Sequence, residues 1–168
     1  MAIFLVLCIA NTSRAGDGEN RLDEKVKYIL ANADHFELFS LQPVLEMGFG
    51  SDTKFDKTKG FHGHTILGSH VIKDGDARAK LVDSLDQAVA NAKAIAGCFN
   101  PRHGIRAKLK DESVDLVICF ECANLHVHGP GDNKEGLMVL SSPQSLFDDV
   151  LRKADIPLAK PAEKPSKK

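Results

Sequence analysis

What the chain lacks narrows its class before any motif is read. No long run of one charge sign crosses its body and its formal net charge is -1, so it offers no electrostatic footprint for nucleic acid or for an anionic membrane surface. The apolar run Ala2 to Ala10 is too short to span a bilayer, which takes about 20 residues, and no integral membrane segment is expected in the mature chain. No internal repeat is found, which excludes a stacked-repeat architecture. What remains is one domain: 168 residues with 43% apolar content can build a single core and are few for two.

The N-terminus and the C-terminus both read differently from the body. Ala2 to Ala10 followed by Ser13-Arg14-Ala15 has the apolar stretch and the small residues of a secretory signal peptide, with cleavage before Gly16. The usual Lys or Arg ahead of the apolar stretch is missing, and an uncleaved buried strand is the alternative. The expected division is a signal peptide over 1–15, a single domain over 16–156, and a disordered Lys- and Pro-rich tail over 157–168. Export implies a secreted or periplasmic protein. Cys8 leaves with the signal peptide, and Cys98, Cys119 and Cys122 remain in an oxidising compartment where thiols normally pair.

Periodicity supplies the elements. Leu22, Val26, Ile29, Leu30 and Ala33 have helical spacing, as do Leu81, Val82, Leu85, Val89 and Ala92 after the capping stretch Asp74-Gly75-Asp76. His35 to Leu41 and Ile66 to Ile72 read as strands, separated by a long loop over 43–61 in which Lys54 and Lys57, with His62 and His64 beside it, form a candidate binding loop. Ile105, Ala107 and Leu109, then Val114, Leu116, Ile118 and Phe120, alternate with polar residues and predict a hairpin folded about Asp111-Glu112 in a four-residue loop. That register sets Leu109 against Val114 and Lys108 against Asp115. Beyond Glu121 the apolar parity reverses, which predicts a bulge near Cys122. A strand over Leu137 to Leu140 and a helix carrying Leu146, Phe147, Val150 and Leu151 complete the chain. The fold class is α+β, an antiparallel sheet of about five strands with helices packed on one face.

The chemistry-bearing residues concentrate between 98 and 122. The hairpin folds Cys122 back toward Pro101 and His103, and Cys98 lies a few residues beyond, so the ends of this stretch converge. Three thiols are an odd number, and several resolutions stand: a disulfide from Cys98 to Cys119 or Cys122, a tetrahedral zinc site of the three cysteines with His103, His126 or His128, or thiol-disulfide exchange at Cys119 and Cys122. Cys119-Phe-Glu-Cys122 lacks the glycine of a zinc knuckle and does not open a helix, as exchange centres do. Ala123 stands where haem attachment needs histidine. Glu121 would be the base of a metal-dependent hydrolase. Arg102-His103-Gly104-Ile105-Arg106 echoes the phosphohistidine string of histidine acid phosphatases over five residues only, without the downstream His-Asp. His62 with His64, and His126 with His128, are spaced to share a face; the latter pair is a further candidate for metal.

Cys98-Phe-Asn-Pro-Arg-His-Gly-Ile105, followed by a hairpin and Asp115-Leu-Val-Ile-Cys-Phe-Glu-Cys122, resembles a group of exported bacterial proteins of unknown function, of planctomycete type. The resemblance is specific over 98–122 and looser over 61–158. It implies export and a Cys-His centre at Cys98, His103, Cys119 and Cys122, and it implies no reaction. The expected function is non-enzymatic binding or structural support by a Cys/His cluster serving as disulfide staple or zinc site.

Overall fold

Asp23 starts the first helix by accepting a hydrogen bond at Oδ1 from the Lys25 amide at 2.8 Å, and α1 (Glu24–Asn32) then buries Val26, Ile29 and Leu30 at helical spacing. Asp74 does the same for α2 (Gly75–Ala90), accepting from the Ala77 amide at 2.8 Å, and that helix buries Leu81, Val82, Leu85, Ala88 and Val89. α3 (Gln144–Lys153) buries Phe147 and Leu151. The computed structural model describes residues 20–43, 60–94, 96–132 and 136–160. The expected signal peptide, Lys54, Lys57 and the chain from 161 onward lie outside the described residues.

The strands are β1 (His35–Gln42), β2 (Thr65–Val71), β3 (His103–Leu109), β4 (Glu112–Cys119), β5 (Asn124–His128) and β6 (Leu137–Met138). They form one antiparallel sheet in the order β2-β1-β3-β4-β5-β6. The fold is α+β as expected, with a six-stranded sheet rather than about five strands. The extra strand arises where a bulge was expected. Phe120 to Ala123 make a tight reversal, with Ala123 at φ 53 and Cys119 paired to Asn124. The parity of the apolar residues changes because the chain turns back there, and not because one strand kinks.

The β3–β4 hairpin forms as expected, but two residues out of the expected register. Leu109 faces Glu112, Ala107 faces Val114, and Arg106 rather than Lys108 faces Asp115. The turn is Lys110-Asp111. Lys110 takes the left-handed conformation at φ 54, and its amide donates to Asp34 Oδ2 at 2.9 Å, tying the turn to the end of α1. A shift by two preserves the pleat, so the same apolar set reaches the core in either register.

Ile105, Ala107, Val114, Leu116, Ile118, Leu125 and Val127 project from one face of the sheet into the main core beneath the helices. The other face carries a smaller cluster of Phe39, Leu41, Phe61 and Val117. Gly104 fits this second layer because it has no side chain: a Cβ there would stand 2.6 Å from Phe61 Cε1 and 2.8 Å from Cδ1. Phe61 is fully buried and cannot swing aside. Gly104→Ala should therefore lower stability by about 1–3 kcal/mol through overpacking, read as a lower urea midpoint with an unchanged slope.

The beginning of the segment assigned by composition to a disordered tail is fastened down. Ser40 Oγ donates to the Pro157 carbonyl at 2.6 Å, and Arg102 Nη1 donates to the carbonyls of Ala159 at 3.4 Å and Lys160 at 2.8 Å. Backbone carbonyls make these contacts, and for that reason side-chain composition does not foretell them.

Candidate functional site

The reversal after β4 carries Cys122 back beside the segment leading into β3. Ala96 donates its amide to the Cys122 carbonyl at 3.0 Å, and Cys98 and Cys122 are joined as a disulfide with their Cα atoms 5.6 Å apart. Cys122 is wholly buried and Cys98 is exposed, so the bond lies at the protein surface and reaches inward. Cys119 is a buried free thiol. Its sulfur accepts a hydrogen bond from the Cys122 amide at 3.2 Å, and burial pushes its pKa up.

His103 does not join the cysteines. Along β3 it shares a face with Ile105 and Ala107, and its ring packs edge-on against Phe120 and Phe147 in the main core. Nε2 donates to Asp148 Oδ1 on α3 at 2.9 Å. Burial pushes the Asp148 carboxyl up, but the His103 hydrogen bond and neighbouring positive charge more than offset this and hold it low. Cys119 belongs to the opposite face of the neighbouring strand, alongside Asp115 and Val117. The alternation of a strand thus divides the expected Cys/His cluster. It also divides the phosphohistidine string, because Arg106 stands on the face opposite His103. Arg102 and His103 line a cavity of about 650 Å³ between α3 and the C-terminal segment.

A second constellation lies on the face away from the helices. His126 and His128, two apart on β5, both project there. Phe61-His62-Gly63-His64 arches over them as a tight turn closed by hydrogen bonds from the Phe61 amide to the His64 carbonyl at 2.9 Å and from the His64 amide to the Phe61 carbonyl at 3.0 Å. The turn requires φ of 50 at His62 and 88 at Gly63, and a left-handed conformation costs a residue with a side chain about 1 kcal/mol or more. His62 offsets that cost with contacts: Nε2 donates to Asp115 Oδ2 at 2.7 Å, and its ring stacks on His128 with centroids 3.9 Å apart and planes at 8°. Arg106 grips the same carboxylate through Nε at 2.9 Å and Nη2 at 2.6 Å, and its guanidinium lies over Phe61, 5.2 Å from the ring centre.

Phe99 connects the two constellations. It follows the bonded Cys98 directly, stacks on His126 with centroids 4.1 Å apart and planes at 11°, and meets His64 edge-on at 6.1 Å. The electrostatics follow from burial and crowding. His64 is pushed down to about 4, first by burial and then by the positive charge His62 and His126 would carry. His128 is also lowered, burial again leading. Burial alone would raise the Asp115 carboxyl, but hydrogen bonds from His62 and Arg106 outweigh it and hold Asp115 below its ordinary value. At neutral pH His64 and His128 are therefore uncharged while the Asp115 carboxylate is ionised.

Asp115 accepts hydrogen bonds from both His62 and Arg106. Asp115→Asn keeps the shape but removes the charge shared by Arg106 and His62, and leaves a partly buried guanidinium uncompensated. It should cost about 2 kcal/mol, against under 1 kcal/mol for Glu112→Gln, whose partner Lys25 is exposed. Urea denaturation of the two variants side by side checks the difference.

Among the described residues no three His, Cys, Asp or Glu side chains converge as metal ligands do. Cys98 and Cys122 are bonded to each other and His103 lies on the far face, so the three cysteines and His103 do not meet as one ligand set. His62, His64, His126 and His128 gather on one face, where His62 stacks on His128, His126 stacks on Phe99 and His64 meets Phe99 edge-on. Glu121, the candidate hydrolytic base, accepts from Arg102 Nη2 at 3.2 Å. Phe99, Arg106, Asp115 and Asp148 were not singled out from sequence as site residues. Arg106 and Asp115 could have been, because they sit on opposite arms of a hairpin that was itself legible. No helix among the described residues is long and apolar enough to cross a membrane. No protein-family profile matches the chain, and comparisons with curated proteins and with solved structures return no match.

Proposed function

We propose that the chain is a small exported binding domain without enzymatic activity, in which the Cys98–Cys122 disulfide is a structural staple and the histidine-bearing face of the sheet is the working surface. One observation carries this reading: Phe99, next in the chain to the bonded Cys98, stacks on His126. The staple thereby fixes the ring against which the histidine cluster is built. Imidazole and aromatic rings around an ionised carboxylate suit recognition by hydrogen bonding and ring stacking. Export is supported by the apolar N-terminal run and by a disulfide, which persists in oxidising compartments. Thiol-disulfide exchange with outside partners at Cys119 and Cys122 has less support, because Cys119 is buried with a raised pKa and thiols that react with other molecules are exposed with lowered ones.

Two measurements test the reading. Intact mass of the secreted protein, with thiol counting before and after reduction and elemental analysis, should give a chain beginning at Gly16, one free thiol rising to three on reduction, and no stoichiometric zinc. Three free thiols with one zinc per chain would replace the staple by a metal site. For the surface, amide and imidazole NMR shifts are followed while a small-molecule fragment mixture is added. Responses should concentrate at His62, His64, His126 and His128, and responses confined to the cavity beside α3 would move the binding surface there.

A further inference from the structure

The sequence places Cys119 and Cys122 three apart, and the turn between β4 and β5 closes that gap. The Cys119 sulfur accepts hydrogen bonds from the amide of Cys122, at 3.2 Å, and from the amide of Asn100. Asn100 lies two residues past Cys98 on one arm of the disulfide, and Cys122 is the other arm. The free thiol is thus held between the two chain segments that the disulfide joins. Cys98 is the exposed member of the bond, so it is the sulfur with room to leave.

We propose that the three cysteines form an internal exchange relay in which Cys119 displaces Cys98 from Cys122, and that this exchange controls the histidine face by releasing Phe99. The Cys119 thiolate, held beside the Cys122 amide, attacks Cys122 Sγ. A Cys119–Cys122 bond forms, the Cys98–Cys122 bond breaks, and Cys98 leaves as a thiolate that takes up a proton from solvent. One disulfide and one thiol are present before and after, so no external oxidant or reductant enters. The new bond closes a short loop within the turn, and the segment from 96 to 100 loses its covalent tie to β4 and β5. Phe99 then no longer has a fixed position over His126 and beside His64. The two amides that bond Cys119 offset part of the cost of forming its buried thiolate, and the raised pKa makes the exchange slow at neutral pH and faster in alkali.

The control of binding rests on the function proposed above, whereas the exchange itself does not. The experiment separates them. Folded protein free of added thiols is held at pH 7.5 and at pH 8.5, quenched in acid, alkylated and peptide-mapped. Label at Cys98, with Cys119 bonded to Cys122, should accumulate about tenfold faster at the higher pH, as the thiolate fraction rises. Cys119→Ala should abolish it. Label found only at Cys119 at both pH values overturns the relay. Cys98→Ser treated with oxidised glutathione gives an independent check: a closed Cys119–Cys122 bond with no free thiol supports the relay, and two persistent thiols or glutathione adducts oppose it. Imidazole resonances of His64 and His126 that shift as the exchanged isomer accumulates support control of the face. Resonances that stay fixed while the exchange proceeds overturn that control alone.

Discussion

Replacing Cys98 and Cys122 together by serine is expected to lower the stability of the domain by about 3 kcal/mol. The bond closes a loop with a sequence separation of 24, and restricting an unfolded chain over a loop of that length is worth about 3–4 kcal/mol in the chain-entropy account. For a domain of this size the loss corresponds to a fall in melting temperature of about 10 °C. The double variant is the informative one, because it leaves no partner with which Cys119 could re-form a bond. Cys119→Ala removes only a small buried side chain and should shift stability less. Thermal unfolding of wild type with and without a phosphine reductant gives the same comparison without mutation. A fall of less than about 1 kcal/mol in both experiments would deny the disulfide any stapling role.

That expectation is firmer than sequence alone allows, and the reason lies in what periodicity encodes. The helices α1 and α2 and the β3–β4 hairpin were legible because the apolar spacing of α1, Asp74 ahead of α2 and the alternating apolar residues each carry a local signal. The hairpin register was not, since apolar alternation repeats every two residues and is satisfied equally by pairings two apart. Lys110 at the turn is no standard turn residue; its left-handed conformation is supported by Asp34, distant in sequence. The β4–β5 reversal contains Phe120, Glu121, Cys122 and Ala123, without Gly, Pro or Asn, so only the change of parity announced it. Convergence of Cys98 and Cys122 survived both errors because the chain had to return along β4 in either case.

The candidate site residues divide along the same line. His126 and His128 are two apart on a strand, and a shared face follows from that spacing alone. Their meeting with His62 and His64 depends on the Phe61–His64 turn crossing the sheet, which no local pattern specifies. His103 could have been separated from Cys119 in advance, because it falls in phase with the core residues Ile105 and Ala107 while Cys119 falls out of phase with Leu116 and Ile118. The resemblance that groups these residues as one centre describes neighbours in sequence that face opposite sides of a sheet.

Acidification from pH 7 to pH 4 should cost the folded state about 2 kcal/mol through His64. Its folded pKa is pushed from 6.5 down to about 4, so between those values the unfolded chain binds a proton that the folded chain refuses. Stability therefore rises with pH across that interval: the contribution is complete above about 6.5, declines as the pH falls, and is gone below about 4. The full displacement corresponds to about 3 kcal/mol, reduced to about 2 because the environment of the ring can relax when it charges. His128, also lowered, acts in the same direction. Asp115 and Asp148, whose pKa values are depressed, lose their contributions only on further acidification, below the ordinary carboxylate range. The histidines therefore dominate the upper part of the curve. Urea denaturation at pH 7, 5.5 and 4.5, with His64→Leu alongside, isolates the effect. The wild type should weaken steadily over this range and the variant should weaken less, because leucine binds no proton in either state. Parallel curves would mean that His64 accepts its proton as readily folded as unfolded, and that burial does not hold its imidazole neutral.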